Sequence, residues 1–414
     1  MITNGGGNRI SKLSLLSWAF YDLANQFFAL IIVSLYFPRW VCIEKGIPEV
    51  FYSLAFGTSM ILVAVSAPIL GAISDARRKH KVFLVFFTLL SIAFTISLSL
   101  HINVFLALVF FAIANFGCQA AIIFYNALMV NIAPRGKLGF VSGVGRMFGY
   151  LGAILAIYLT KPVILNAGYR PTFLITGILF LVFSLPCMIF IKEARGDRTL
   201  ETPSLERVTF SQAYRRLKEA FVSIRKIDGF EDLLKASFFG LCAVNTIMLF
   251  IFVYAGKVFG LGEAQLINLT AFSAFFAIIG SIVSGFVSDI VGYRRGLIGV
   301  FILWGICILG GALLSGACIW VVGALVGLSI GGTWVILRAL VVNIVPEEML
   351  GEAFGLFSLA SYLSGVVGPI FWGAILLCLS RLGQRGYRLS FFSLIMFIMV
   401  AIWFLLKMKK ERTQ

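Results

Sequence analysis

Two stretches of this sequence repeat each other: GAISDARRK at residues 71–79 and GFVSDIVGYRR at residues 285–295, offset by 214 positions (from 71 to 285). Each follows a long apolar run and contains a pair of arginines near its end. A second pair matches residues 131–150 to residues 343–362 at a uniform offset of 212, sharing Asn-Ile-x-Pro, Leu-Gly, Gly and Tyr. Both repeats run in the same direction, as expected of two halves related by an axis along the membrane normal.

The composition indicates an integral membrane protein. Of 414 residues, 60% are hydrophobic and 13% charged, with a mean hydropathy of +1.00, whereas soluble domains carry about 25% charged residues. A soluble enzyme or DNA-binding protein is therefore excluded. The net charge of +16 is interpreted as a determinant of membrane topology, and no nucleic-acid partner is expected. The seven cysteines and two histidines show no disulfide or metal-binding spacing, so no metal or cofactor is expected.

Twelve apolar runs are long enough to cross a bilayer, which takes about 20 residues. They lie at about 14–38, 50–74, 82–101, 104–132, 138–160, 171–191, 230–256, 265–288, 297–316, 318–345, 351–377 and 388–406. Backbone polar groups must be satisfied within lipid, and the period-two alternation of a barrel is missing from the sequence, so these runs are predicted to be helices. The predicted fold class is an all-α integral membrane protein of two six-helix bundles related by a parallel repeat.

A long polar segment divides the chain into three predicted parts. These are an N-terminal six-helix bundle at 1–191, a cytoplasmic linker at 192–229 and a C-terminal six-helix bundle at 230–414. Residues 210–224 of the linker carry an apolar face at helical spacing, with basic residues elsewhere, which predicts an amphipathic helix. It is interpreted either as a surface helix on the inner membrane face or as a site for a regulatory partner.

Basic residues are distributed unevenly between the two sides of the membrane. The side of the termini carries 23 lysines and arginines and the opposite side 8, which predicts cytoplasmic termini. The first apolar run is too long for a cleavable signal peptide, so the first helix is expected to act as its own insertion signal. We expect a multi-pass protein of a bacterial cytoplasmic (inner) membrane, in contact with lipids.

The repeated loop after the second and eighth helices resembles the signature of the major facilitator superfamily. Its residues here are Gly71, Asp75, Arg77 and Arg78 in the first copy and Gly285, Asp289, Arg294 and Arg295 in the second. Glycine allows close helix approach, aspartate can cap a neighbouring helix, and the basic residues can hold one face closed through ion pairs. An ordinary positive-inside loop is the alternative, but two copies at repeat-equivalent positions favour a gating role.

The first helix carries a more specific motif, WAFYDLAN at residues 18–25, and its run ends in Phe-Pro at 37–38. This resembles the vacuole-effluxer-like family, which includes the fungal vacuolar amino-acid effluxer linked to autophagy. Further stretches agree at residues 125–128, 142–152, 331–332, 352–356 and 368–369. The sequence departs from the family at Cys242-Ala243, where an acidic residue and glycine are usual, and at Trp334, where glutamine is usual. The resemblance implies amino-acid transport, and these departures leave the substrate open.

Ionisable and polar side chains within the apolar runs are the candidate substrate and coupling residues, because a charge in hydrocarbon costs about 2.5–3.5 kcal/mol. They are Asp22, Asn25, Gln26, Tyr125, Asn126, Asn245, Trp334 and Arg338. The superfamily resemblance implies that helices one, four, seven and ten line a central cavity, and the candidates fall on those helices. Asn25 and Gln26 are expected to share the face of Asp22 at i+3 and i+4.

Two interpretations of the charged candidates remain open. In one, Asp22 attracts an ammonium group or exchanges a proton, and Arg338 binds a carboxylate, as an amino acid requires. In the other, the two pair with each other or cap helix ends as a gate. Since the sequence has no phosphate-binding loop and no catalytic constellation, we predict a secondary active transporter of amino acids or similar small zwitterions, with protons as the coupling ion. The alternatives are an exporter of hydrophobic or cationic compounds and a non-transporting membrane sensor.

Overall fold

The chain is helical throughout its described length. The structure, a computed structural model, describes residues 12–77, 80–132, 138–191, 227–314, 316, 318–345 and 350–408. Within these ranges there are helices and turns but no β-strand, and twelve helices are long and apolar enough to cross a membrane. A helix satisfies its backbone hydrogen bonds internally, as lipid demands. The predicted fold class is confirmed.

Short connections join most of the consecutive helices. The first six are α1 (Lys12–Glu44), α2 (Glu49–Arg77), α3 (His80–Ser97), α4 (Val104–Ile132), α5 (Leu138–Ala167) and α6 (Tyr169–Phe190). The last six are α7 (Phe230–Phe259), α8 (Glu263–Val291), α9 (Tyr293–Leu313), α10 (Cys318–Ile344), α11 (Leu350–Cys378) and α12 (Gln384–Lys407). Consecutive helices therefore run in opposite directions. The end where α1 begins and α12 ends is called the proximal end, and the opposite end the distal end.

Two helices extend well past their predicted ends. The first apolar run was expected to end near Pro38, and the fifth near residue 160, just before Pro162. In the structure α1 continues to Glu44 and α5 to Ala167, with Pro162 inside the helix. A proline next to a basic residue suggests a helix end in both places, and in both the helix continues.

The extension of α1 depends on a change in its hydrogen-bond register. Residues 27–36 and 40–44 form π-helix, in which a carbonyl accepts from the N–H five residues later. For the Val33 carbonyl that residue is Pro38, which has no N–H. The hydroxyl of Tyr52, from α2, donates to this carbonyl at 2.6 Å instead. A side chain from the next helix thus satisfies the acceptor that the proline leaves open.

The surface of the helices is apolar. Ile290 and Leu313 are 69% and 72% exposed, and such residues occur along the outside of most helices. Exposed apolar surface of this extent would cause aggregation in water, whereas lipid chains cover it in a bilayer. The interior contains large aromatic side chains, including the fully buried Trp40, Trp304 and Trp372.

Glycines bring α8 and α10 into backbone contact. A Cβ atom added at Gly331 would lie 2.1 Å from the carbonyl oxygen of Ala277, and one at Gly327 would lie 2.2 Å from that of Ser273. From the other side, a Cβ at Gly280 would lie 2.3 Å from the Leu328 carbonyl oxygen. Small residues permit this approach, which is a main source of helix association in lipid.

A similar close contact joins α1 and α5. A Cβ at Gly145 would lie 2.5 Å from the Trp18 ring, and one at Gly152 would lie 2.5 Å from the Leu23 carbonyl oxygen. At the repeat offset of 212, the position equivalent to Gly152 is Ser364 in α11. This backbone contact of α5 therefore relies on a glycine that the second half does not repeat.

The predicted division of the chain is only partly covered by these ranges. The linker at 192–229 is described from residue 227 onward, and the predicted amphipathic helix at 210–224 lies outside the described residues. The boundaries at 191 and 230 remain predictions. They agree with the helix limits, since α6 ends at Phe190 and α7 begins at Phe230.

The glycine contact between α8 and α10 predicts that adding one methyl group at this contact lowers the stability of the protein. We expect Gly331→Ala to lower the apparent melting temperature in detergent by several degrees, because overpacking costs about 1–3 kcal/mol. Fluorescence-detected size-exclusion after heating measures this. The control is Gly305→Ala in α9, where an added Cβ meets nothing within 4 Å and alanine favours the helix by about 0.5–1 kcal/mol. Equal melting temperatures for the two variants would contradict the close contact.

Candidate functional site

A buried ion pair joins the two halves of the chain at the distal end. Arg39, near the end of α1, pairs with Glu263, the first residue of α8, with Nη2 3.0 Å and Nε 3.1 Å from Oε1. The two side chains are only 6% and 21% exposed. Removing one partner of a buried pair leaves an uncompensated charge and costs about 3–5 kcal/mol. This pair therefore favours contact between the distal ends of α1 and α8.

Further groups complete the environment of this ion pair. Arg39 Nη1 donates to the Phe252 carbonyl of α7 at 3.0 Å, and the Tyr169 hydroxyl of α6 donates to Glu263 Oε1 at 2.5 Å. Gly256 of α7 leaves room for the guanidinium, since a Cβ there would lie 2.4 Å from Nη1. In the sequence, Arg39 counted only as one of the eight basic residues on the side opposite the termini, and Glu263 was not among the candidates. Neither residue lies in a recognisable motif, and only the contact between α1 and α8 identifies them.

A second set of distal contacts joins α2 to α11 and α12. Ser53 Oγ donates to the Pro369 carbonyl at 2.9 Å, and the Tyr387 hydroxyl donates to Glu49 Oε1. A Cβ at Gly57 would lie 3.4 Å from Cγ1 of Val366. These contacts and the Arg39 pair come from both halves. The distal side is therefore closed in this conformation.

Asp22, the acidic candidate in α1, is buried against α5. It is 9% exposed, and a Cβ at Gly149 would lie 3.2 Å from its Oδ2 and 3.6 Å from Nε2 of Gln26. Asn25 contacts a different helix, because its Oδ1 accepts from Sγ of Cys118 in α4 at 3.0 Å. The structure thus brings Asp22 and Gln26 together as expected. It separates Asn25 from them, because α1 packs between α4 and α5.

Tyr125 and Asn126 of α4 lie in different surroundings. The Tyr125 ring stacks on Trp18 at a centroid distance of 4.5 Å and on Tyr21 at 4.9 Å, and the residue is 4% exposed. Trp18 Nε1 also donates to the Tyr125 carbonyl at 3.1 Å. Asn126 is exposed. Two rings thus cover Tyr125, and its predicted substrate-contacting role stays a prediction.

The candidates in the second half lie on α7 and α10. Asn245 is half-buried, and its Nδ2 donates to Ser364 Oγ of α11 at 2.9 Å. Trp334 and Arg338 are both half-buried and lie one turn apart on α10. Arg338 is six residues from the last residue of that helix, Ile344, which is about 9 Å along the axis.

The first copy of the glycine–aspartate signature lies mostly within a helix. It was predicted as a loop, but α2 continues to Arg77, so Gly71 and Asp75 occupy its last two turns. The surroundings of Gly71, the side chains of Asp75 and Arg77, and the whole of Arg78 lie outside what the structure describes. Their gating role stays a prediction.

In the second copy the signature is again helical. Gly285 and Asp289 lie in the last turns of α8, which ends at Val291. A Cβ at Gly285 would lie 3.7 Å from Val335, an ordinary contact, so the close approach expected here occurs earlier in α8. Asp289 Oδ1 accepts from the Tyr293 hydroxyl at 2.7 Å, four residues on. The expected cap of a neighbouring helix is thus replaced by a side-chain contact at the α8–α9 turn.

Arg294 binds the end of the last helix. Its Nε and Nη2 donate to the carbonyls of Leu405 and Leu406 at 2.6 and 2.8 Å. The last carbonyls of a helix have no partner within the helix, so Arg294 caps α12 at the proximal end. Arg295 is exposed. The contacts described for Arg294 stay within the last six helices, and the predicted ion pairs that close one face stay a prediction.

Within the described ranges no group of three or more His, Cys, Asp or Glu side chains is arranged to hold a metal ion. The polar groups described above instead divide into two zones: interhelical contacts that close the distal end, and the residues around Asp22 and Arg338 nearer the proximal end.

Comparison with known proteins gives consistent results. The chain matches the Major Facilitator Superfamily over residues 19–369 and again over residues 239–414. It is 26% identical over 404 residues to an uncharacterized protein of Aquifex aeolicus (strain VF5), covering 97% of both chains. It is 24% identical over 375 residues to the uncharacterized MFS-type transporter YxiO of Bacillus subtilis (strain 168), covering 86% of both. A Na(+), Li(+), K(+)/H(+) antiporter of Planococcus maritimus is 25% identical over 198 residues, covering 45% of this chain and 44% of the antiporter.

Solved structures share the fold at low sequence identity. A bacterial homolog of the human lysosomal transporter Spinster, in an inward-facing and unoccupied conformation, superimposes with a TM-score of 0.75 at 16% identity, covering 97% of both chains. The nucleoside transporter NupG gives a TM-score of 0.73 at 14% identity, covering 96% of this chain and 100% of the other.

The distal ion pair predicts a conformational effect that cross-linking can measure. In a background with all seven cysteines replaced, Gly57→Cys and Val366→Cys place two thiols across the distal contact, within reach of a disulfide. We expect oxidation to cross-link this pair, and Arg39→Ala to reduce the yield several-fold by releasing the distal ends. The control is Lys45→Ala, which removes the exposed pair of Lys45 with Glu44 at the same end and should leave the yield unchanged. Equal yields with and without Arg39 would show that the pair does not hold the distal side closed.

Proposed function

This chain belongs to the major facilitator superfamily and is a secondary transporter, and we propose that it moves amino acids or similar small zwitterions by alternating access. The observation that carries the proposal is the presence of opposite charges in opposite halves. Asp22 lies ten residues into α1, about 15 Å from Lys12, and Arg338 lies about 9 Å from the end of α10. Charges at this depth are costly, so an acidic group on α1 and a basic group on α10 support a role in binding a solute that carries both an ammonium and a carboxylate group.

The alternating-access part of the proposal rests on the distal contacts. Solute can reach a site between the halves from the distal side only if Arg39 and Glu263 separate and α2 leaves α11. The closed distal side therefore corresponds to one of two states, and a solute that binds both states differently shifts the population between them. The lysine and arginine bias favours cytoplasmic termini, so the closed distal side is proposed to face away from the cytoplasm of a bacterial inner membrane.

Protons are the proposed coupling ion, with Asp22 as the exchanging group. The carboxyl group of Asp22, beside Gly149 and Gln26, can take up or release a proton as the solute binds or leaves. The Planococcus relative is named as an antiporter that exchanges protons for monovalent cations, which supports proton coupling within this group of sequences. Membrane lipids are the remaining expected partners.

Assignment to the vacuole-effluxer-like family is part of the same proposal. Three stretches that carry the resemblance meet in space: Trp18 of the first-helix motif stacks on Tyr125, and Asp22 and Leu23 approach the α5 glycines at 149 and 152. Motif residues from α1, α4 and α5 thus form one contact cluster. This supports a family-specific structure around Asp22, within the proposed N-terminal unit at 1–191.

A second candidate function is export of cationic compounds in exchange for protons. The relative named as a cation/proton antiporter and the half-buried Trp334 beside Arg338 favour it, since aromatic faces attract cations. A cationic solute needs Asp22 but not Arg338. The two candidates therefore differ in what the loss of Arg338 does.

Transport by purified protein in liposomes distinguishes these functions. We expect a labelled amino-acid panel to contain at least one substrate, and Asp22→Asn and Arg338→Ala each to reduce its gradient-driven uptake at least tenfold. If Asp22 serves only as the proton-exchanging group, Asp22→Asn retains counterflow; if it binds the ammonium group, counterflow is lost as well. Matched controls are Asp228→Asn and Arg381→Ala, exposed residues outside the transmembrane helices, which should transport normally.

Two outcomes would contradict the zwitterion proposal, and a third would favour the second candidate. No uptake of any amino acid, or normal uptake by both variants, would contradict the zwitterion proposal. Efflux of a cationic dye that needs Asp22 and survives Arg338→Ala would support the second candidate instead.

A further inference from the structure

A cavity at the distal end lies between the two halves, apart from the candidates around Asp22. Its volume is about 370 Å³. One wall is formed by Ile47 of the α1–α2 connection and Glu49, the first residue of α2. The other is formed by the distal ends of α7, α11 and α12, including Lys257, Leu376 and Tyr387. Ligand pockets for small molecules begin at about 300 Å³. The space is therefore large enough for one small solute.

The cavity contains one charge of each sign. Glu49 is 7% exposed, and the Tyr387 hydroxyl from the opposite wall donates to its Oε1. Lys257, in the last turn of α7, is exposed and lines the same space. Among the described residues, Lys257 and Glu49 do not form a salt bridge with each other. A buried carboxylate and an amine thus face one cavity without an ion pair between them.

The charges and the apolar wall together restrict the chemical class of ligand that this cavity can bind. A bare cation is disfavoured by Lys257 and a bare anion by Glu49, whereas a molecule with an ammonium and a carboxylate group satisfies both. Ile47, Pro48 and Leu376 supply apolar surface between them, which favours an aliphatic side chain. The complementary ligand is a small zwitterion with an apolar group.

We propose that this distal cavity is a binding site for a small aliphatic zwitterion, of which L-leucine is the test case, with its ammonium group on Glu49 and its carboxylate toward Lys257. The site is separate from Asp22 and Arg338 and does not depend on what the transporter carries. Because its walls come from both halves, a bound ligand bridges them and stabilises the closed distal side.

Equilibrium binding of labelled L-leucine to the purified full-length protein tests the site. We expect Glu49→Gln and Lys257→Gln each to weaken binding at least tenfold; glutamine at 49 can still accept from Tyr387, so the distal contact is retained. The controls are Glu44→Gln and Lys45→Gln, exposed charges at the same end that pair with each other and do not line the cavity. Both should bind as the parent does.

Two further measurements separate this site from the proposed transport site. The double variant Asp22→Asn, Arg338→Ala should retain distal binding even if it no longer transports. On the parent protein, leucinol, which lacks the carboxylate, and 4-methylpentanoate, which lacks the ammonium group, should each compete at least tenfold more weakly than leucine.

The proposal is overturned by any of four results: no leucine binding by the parent, unchanged binding by Glu49→Gln, complete loss of binding in the Asp22 and Arg338 double variant, or equal competition by either analogue. A failure of amino-acid transport together with leucine binding that depends on Glu49 would contradict the proposed function and leave the distal site supported.

Discussion

Satisfaction of the backbone hydrogen bonds is the constraint on which this structure depends. No water reaches the hydrocarbon core, so each segment must pair its own N–H and C=O groups, and the described chain does so as helices. The middle of α1 shows how strict the requirement is. Pro38 removes a donor within the membrane, and the helix continues because the Tyr52 hydroxyl takes the open Val33 carbonyl. The neighbouring helix α2 thus supplies the hydrogen-bond donor that Pro38 removes from α1.

Once the helices exist, their association needs a source of energy other than the hydrophobic effect, since lipid is as apolar as the side chains. The chain uses two. Glycines at 280, 327 and 331 bring the backbones of α8 and α10 together, and this contact lies within one half. Between the halves, the distal contact combines the Arg39–Glu263 pair with close packing of α2 on α11, where a Cβ at Gly373 would lie 2.9 Å from the Cα of Val50.

The candidate site shows where sequence reasoning succeeds and fails. Asp22 was selected as a charge inside an apolar run, and its burial against α5 agrees with that selection. Tyr125 was selected as a polar side chain within an apolar run. Its ring lies between Trp18 and Tyr21, and the residue type alone does not say whether an aromatic side chain packs or faces a cavity. Arg39 was counted among the loop charges because the first apolar run was predicted to end at residue 38. The helix continues there only through contacts with other segments.

The sequence alone determined that the protein lies in a lipid bilayer, how many helices cross that bilayer, and that the two halves form a parallel repeat. Hydropathy over about 20 residues reveals the crossings, and the fixed offsets between motifs reveal the repeat, without any knowledge of tertiary contacts. Only the tertiary structure decided what the motif residues contact. Gly145 packs against Trp18, and Arg294 caps α12 although its motif suggested a gate. The closed distal side and its cavity likewise depend on residues far apart in sequence. Such contacts form between helix faces, whose rotation and depth are set by packing against neighbours rather than by the order of residues within one helix.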